Sequence, residues 1–155
     1  MDTAAGKDAR PDAPLGRVWT ALCLALLLHV IDEASTGFLA VYNPTVVALR
    51  ERLPWLPMPV FRFDVWLGGL LAAVVLLLAL RRPLVHGRRW MRTAAAVFAV
   101  LMIFNAVGHT AGTIAGRSFG GVVFPRPMPG FWSSPLLAAA AAWTLVRLRH
   151  PLTRP

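Results

Sequence analysis

His29, Asp32 and Glu33 stand at i, i+3 and i+4 in a run otherwise dominated by leucine, alanine, valine and isoleucine. On a helix those spacings put all three side chains on one face within about one turn. Further along, Asn105, His109 and Thr113 follow one another at four-residue intervals, again on one helical face. Two imidazoles with one or two carboxylates suit a divalent metal such as zinc, iron or manganese. A carboxylate not used as a ligand would work as a general acid or base, and Asn105 would hold a substrate group by hydrogen bonding. The candidate metal ligands are therefore His29, Glu33 and His109. The candidate catalytic groups are Glu33, Asp32 and Asn105.

The surroundings give these residues their weight. A charged side chain at the centre of a membrane-spanning helix costs roughly 2.5–3.5 kcal/mol on insertion scales. No lysine or arginine falls at the same depth in the apolar runs. The acids must then be protonated and hydrogen-bonded, pair with protonated histidine, or bind a cation. Three roles stay open at this point: a catalytic or metal site, a ligand or proton-handling site, or polar glue between helices, worth only about 0.6 kcal/mol per bond on average.

The elements that must position these residues are long and apolar. Hydrophobic residues make up 57% of the 155-residue chain and charged residues only 15%, against about a quarter charged in soluble domains. A spanning helix needs roughly 20 mostly apolar residues. Four segments qualify, at about 18–40, 61–80, 93–116 and 131–148. The first is longer than the core of a cleaved signal peptide and carries His29, Asp32 and Glu33, so it reads as a retained helix. Residues 1–16 read as a disordered tail and 150–155 as a second tail. Cys23 lies inside an apolar run and reads as a small core residue.

Net charge is +9, but the cations sit between the apolar runs, which excludes a nucleic-acid surface and fits loops facing anionic lipid. One side carries Lys7, Arg10, Arg17, Arg81, Arg82, Arg88, Arg89, Arg92, Arg147, Arg149 and Arg154. The other carries Arg50, Arg52, Arg62, Arg117 and Arg126. That asymmetry places both termini in the cytoplasm. Trp19, Trp66, Trp90, Trp132 and Trp143 fall near the expected helix ends, where indoles favour the headgroup level. Asp64 is placed to pair with Arg62 or Arg117.

Between the first two spans, Asn43-Pro44 reads as a cap and first-turn proline of a short helix on the outer surface, stopped by Pro54, Pro57 and Pro59. Ser134-Pro135 reads as the start of the last regular helix. That helix is then only about 20 Å long, so residues 124–132 either dip into the outer half of the membrane or the membrane thins locally. The N-terminus of this helix lies at the level of the carboxylates and could face them. On the third span, Gly108, Gly112 and Gly116 form a small-residue stripe beside the polar face, which predicts close packing of the first and third helices.

His29-Val30-Ile31-Asp32-Glu33 resembles the motif that names the HXXEE family of small bacterial membrane proteins. Asn105-Ala106-Val107-Gly108-His109 resembles that family's second polar motif, and Pro129-Gly130 with Ser133-Ser134-Pro135-Leu136-Leu137 is similar to its entry into the last helix. Asp32 stands where the name-giving pattern has glutamate, one methylene longer. The resemblance implies a multi-helix membrane protein and pools His29, Glu33, Asn105 and His109 into one site. It implies no substrate.

The expected fold is all-α, an integral-membrane four-helix bundle in a bacterial cytoplasmic membrane, the source suggested by the richness in alanine, arginine and proline. The expected function is a metal-assisted or acid–base enzyme acting on a lipid-like or isoprenoid substrate drawn from the bilayer. The alternative is a non-enzymatic ligand binder or proton-coupled transport component, for which so small a chain would need a homo-oligomer. The topology has a direct check. A cysteine placed at Arg88 in a Cys23→Ala background should react with an impermeant thiol reagent only from the cytoplasmic side, and one placed at Trp55 only from the opposite side.

Overall fold

The computed structural model describes residues 12–118 and 121–149. The tails expected at 1–11 and 150–155 lie outside the described residues. Within them the chain is helical, with one isolated antiparallel bridge joining Arg117 to Val123.

The first helix, α1 (Ala13–Thr36), starts five residues before the expected position. Asp12 Oδ1 accepts the Leu15 N–H at 2.9 Å, and Pro14 sits in the first turn, where its missing N–H costs nothing. The Asp12 N–H also donates to Val85 O at 2.9 Å, tying this end to the next helix pair. The expected tail is therefore helical from residue 13, and Leu15 and Gly16 are buried. α1 ends at Gly37, whose φ of 80° is the left-handed conformation a side chain would resist.

The connector helix α2 (Leu39–Arg52) also starts early and takes Asn43-Pro44 inside it. Asn43 does not cap the helix. Its side-chain amide instead pairs with both backbone groups of Phe61, donating to the carbonyl at 2.9 Å and accepting from the N–H at 3.0 Å. That pair of hydrogen bonds anchors the proline-rich return segment, whose polar backbone would otherwise lack partners.

α3 (Phe63–Ala79) and α4 (Arg81–Val85) form one 23-residue apolar span interrupted at Leu80, and α5 (Arg89–Ala115) is the longest helix at 27 residues. With α1, these give three helices long and apolar enough to cross a membrane. α6 (Ser134–Arg149) has 16 residues, about 24 Å of axis.

α1 is the central helix: 56% of its most apolar stretch is buried, against 22% for α5 and 11% for α3–α4. α6 packs against both α1 and α5, and α3 packs on α1. The core between α1, α5 and α6 sets large residues (Leu15, Trp19, Leu22) against small ones (Ala95, Ala99, Ala141). This size matching lets the helices approach closely and gain dispersion contacts. The outward faces remain apolar, as Val75 (67% exposed), Phe104 (69%) and Ile114 (76%) show. This is a surface suited to lipid and not to water.

Three expectations are corrected here. α1 and α5 are not paired back to back. α6 is the main packing partner of both, and α1 meets α5 through large rings, Trp19 on Phe98 at 5.8 Å and His29 on His109 at 4.8 Å. The glycine stripe admits a loop and not a helix: Met128 Sδ fills the space a Cβ at Gly112 would take, and the Arg126 guanidinium does so at Gly116. Trp19 is likewise no headgroup anchor. It is fully buried and donates Nε1–H to Leu77 O at 2.7 Å. Trp66 is also buried, whereas Trp90, Trp132 and Trp143 are exposed.

At Gly16 the α1 backbone passes close to α4; a Cβ there would lie 2.8 Å from Val85 Cγ1 and from Arg81 Nη2. Gly16→Leu should therefore cost about 1–3 kcal/mol of stability, as overpacking does elsewhere. A thermal melt of the purified variant in detergent should show it as a lowered midpoint with unchanged helical content.

Candidate metal centre

Each residue of the cluster is placed by a different piece of local structure. His29 and Glu33 lie one turn apart on α1, and His109 lies four residues after Asn105 on α5. Just past Glu33 the helix stops. The Glu33 carbonyl accepts from Gly37 and Phe38, and the turn lays the Phe38 ring over His109 at 6.0 Å.

The three side chains meet. Glu33 Oε1 is 3.1 Å from His109 Nε2 and 3.5 Å from His29 Nε2. One ligand atom from each residue lies within 4.8 Å of the others. Two ligands on a tetrahedral ion with bonds near 2.0–2.1 Å stand about 3.3 Å apart. The group thus has the spacing to hold a metal ion. All three residues are buried, His29 completely.

Asp32 is not part of this group. It turns toward the start of α6, where its Oδ2 accepts from the Ser133 N–H at 2.9 Å and the Ser133 hydroxyl at 2.7 Å. A carboxylate here satisfies an otherwise free donor at the helix N-terminus and complements its partial positive charge. Ser133 Oγ also lies 2.8 Å from His29 Nδ1. Ser133 has one hydroxyl proton. The carboxylate takes it, ahead of the more distant Gly130 carbonyl at 3.2 Å. Ser133 Oγ must then accept, and His29 Nδ1 must carry a proton.

The consequence lies on the other side of the ring. A neutral His29 protonated at Nδ1 presents a bare lone pair at Nε2. That atom is buried, has no hydrogen-bond partner and faces a carboxylate oxygen. Two acceptors face each other there, an arrangement that calls for a proton or a cation between them. His109 Nδ1 is likewise buried without a partner.

Asn105 sits one turn before His109 in the wall of a cavity that His109 also lines, and is half-buried. Thr113 donates to the His109 carbonyl at 2.8 Å and accepts the Met128 N–H at 3.0 Å, fastening the loop before α6 to α5. Asp64 forms a two-pronged exposed pair with Arg62, at 3.0 and 3.1 Å, and not with Arg117.

Two residues carry the site without having drawn notice from their own chemistry. One is Ser133, whose only signal was its place next to the helix start. The other is Gly130. Its φ is 82°, and a Cβ there would lie 2.8 Å from His109 Cε1 and 2.9 Å from Glu33 Cγ. Its carbonyl accepts the Ser134 hydroxyl at 2.7 Å. Gly130 lets the backbone close over the cluster and exclude solvent.

The chain matches no protein-family model, no curated protein and no solved structure. Fold and site therefore define its class: an all-helical protein with three helices able to cross a membrane and a buried His29–Glu33–His109 group able to hold a metal ion.

Gly130→Ala combines a strained φ with a clash against two ligands and should cost about 2–5 kcal/mol. Helical content should survive, while the ring signals of His29 and His109 in an NMR spectrum of labelled protein should shift or broaden.

Proposed function

We propose that this is a multi-pass membrane protein whose α1, α3–α4, α5 and α6 form a four-helix bundle with both termini in the cytoplasm. In this reading His29, Glu33 and His109 bind a divalent zinc, iron or manganese ion. The site carries out metal-assisted or acid–base chemistry on a lipid-like or isoprenoid substrate. The observation that carries the reading is the unpartnered, fully buried His29 Nε2 facing Glu33 Oε1. Polar glue between helices would pair its donors and acceptors; here His29 Nε2, the atom that faces Glu33, has no hydrogen-bond partner.

Three protein ligands leave a further coordination position, as catalytic sites do. The chemistry such an ion supplies is Lewis-acid polarisation of a substrate oxygen. The protein's own part is orientation and exclusion of water. Asp32 and Ser133 fix the His29 tautomer, the kind of outer partner that metal-binding histidines use. Asn105 offers an amide beside His109 for a substrate group, and Phe38 with Gly130 closes the site. The short α6 fits a membrane core of about 30 Å because residues 128–133 continue its height while packed on α1 and α5, where irregular backbone is tolerated. The resemblance to the HXXEE family agrees with this reading through the same residues.

Elemental analysis of the purified protein should find about one metal ion per chain, lost in His29→Ala and in His109→Ala. A metal-free wild type whose variants only lose stability would remove the metal centre.

A further inference from the structure

α2 does not pack closely on α5. Between them lies a cavity of about 730 Å³, within the roughly 300–1,000 Å³ typical of small-molecule sites. Its α5 wall runs from Asn105 to Ala115, about 15 Å of helix axis. The opposite wall is the face of α2 from Val41 to Leu49. His109 is part of the lining, so the cavity reaches the cluster directly.

Three features define what fits. Among the described residues the lining is mostly apolar and contains no aspartate or glutamate. Its one described lysine or arginine is Arg117, at the end beyond α5, and among the described residues Arg117 has no carboxylate in ion-pair reach. Gly108 faces the open space: a Cβ there would meet nothing within 4 Å. Glycine is a poor choice for a helix interior, and here it leaves the middle of the wall flat.

We propose that this cavity binds a single-chain amphiphile with an anionic head. The head sits on Arg117 and the apolar chain lies between α2 and α5, against Gly108 and His109. This places the chain, not the head, beside the cluster. The reacting oxygen would then be carried along the chain and not in the head; the inference names the substrate class of the proposed site and rests on that reading for its chemistry, while binding itself rests on the cavity. A carboxylate head and a phosphate-ester head share the required chemistry, and the test separates them.

The full-length protein in phosphatidylcholine nanodiscs is titrated with hexadecanoate, hexadecyl phosphate and hexadecanol, and metal content is measured in parallel. One or both anionic probes should bind at about one per chain and at least tenfold more tightly than the alcohol, a ratio expected for one charge-assisted contact. The tighter anion identifies the head. Arg117→Gln should remove that preference without weakening hexadecanol. Gly108→Leu should abolish binding of all three with metal content unchanged, and Leu49→Trp, filling the cavity from the opposite wall, should do the same. Unchanged binding in both filled variants, or hexadecanol binding as tightly as the anions, overturns the proposal. A wild type without metal that still shows this pattern sinks the metal centre and leaves the cavity standing.

Discussion

Glu33 is held between two imidazoles in a buried space that no lysine or arginine among the described residues reaches, and the rest of the molecule is arranged around that fact. A carboxylate in so apolar a place must find a compensating positive charge or proton. The two histidines supply the nearest polar atoms, yet the proton on His29 is committed to the Ser133 side. Charge compensation at Glu33 therefore falls to His109, to a second proton on His29 Nε2, or to a cation. Helix register follows from the same constraint: α1 and α5 must stand at heights that let His29 and His109 meet edge to face at 4.8 Å.

That meeting depends on a third element. α1 and α5 are bridged by α6 and by the turn that leads into it. Ser133 joins Asp32 to His29, Gly130 roofs His109 and Glu33, and Thr113 grips the Met128 N–H. The loop before α6 is thus the part that converts two polar helix faces into one enclosed group. Its irregular backbone is affordable because Asp32, Thr113 and the serine hydroxyls take up its polar groups.

The same physics explains the uneven fate of the helix-level expectations. Apolar length marks α1, α3–α4 and α5 without ambiguity, since only composition is needed. The start of α1 was obscured because Asp12-Ala13-Pro14 has the composition of a tail, while physically it is a cap with a first-turn proline. Asn43-Pro44 has the pattern of a helix start, yet Asn43 is drawn to the free backbone of Phe61. Trp19 has the position of an interface anchor, but its N–H finds the Leu77 carbonyl inside the core. In the last two cases a partner distant in sequence outweighed the local signal.

The amino-acid sequence by itself marked the long apolar helices and a set of polar residues that included His29, Glu33 and His109 together with Asp32 and Asn105, which stand outside the final group. Long runs of apolar residues leave spanning helices as the economical way to satisfy the backbone, and polar residues at one-turn spacing inside such runs have to face one another. Tertiary structure alone decided the division of labour. Asp32 and Glu33 are adjacent and chemically alike, so nothing local tells them apart. Their side chains point about 100° apart on the helix, and that angle sends Glu33 to His109 and Asp32 to the N-terminus of α6. The glycine stripe was equally undecided until packing set a loop against Gly112 and Gly116 and open space against Gly108. Which surface a small residue serves depends on what arrives there from elsewhere in the chain.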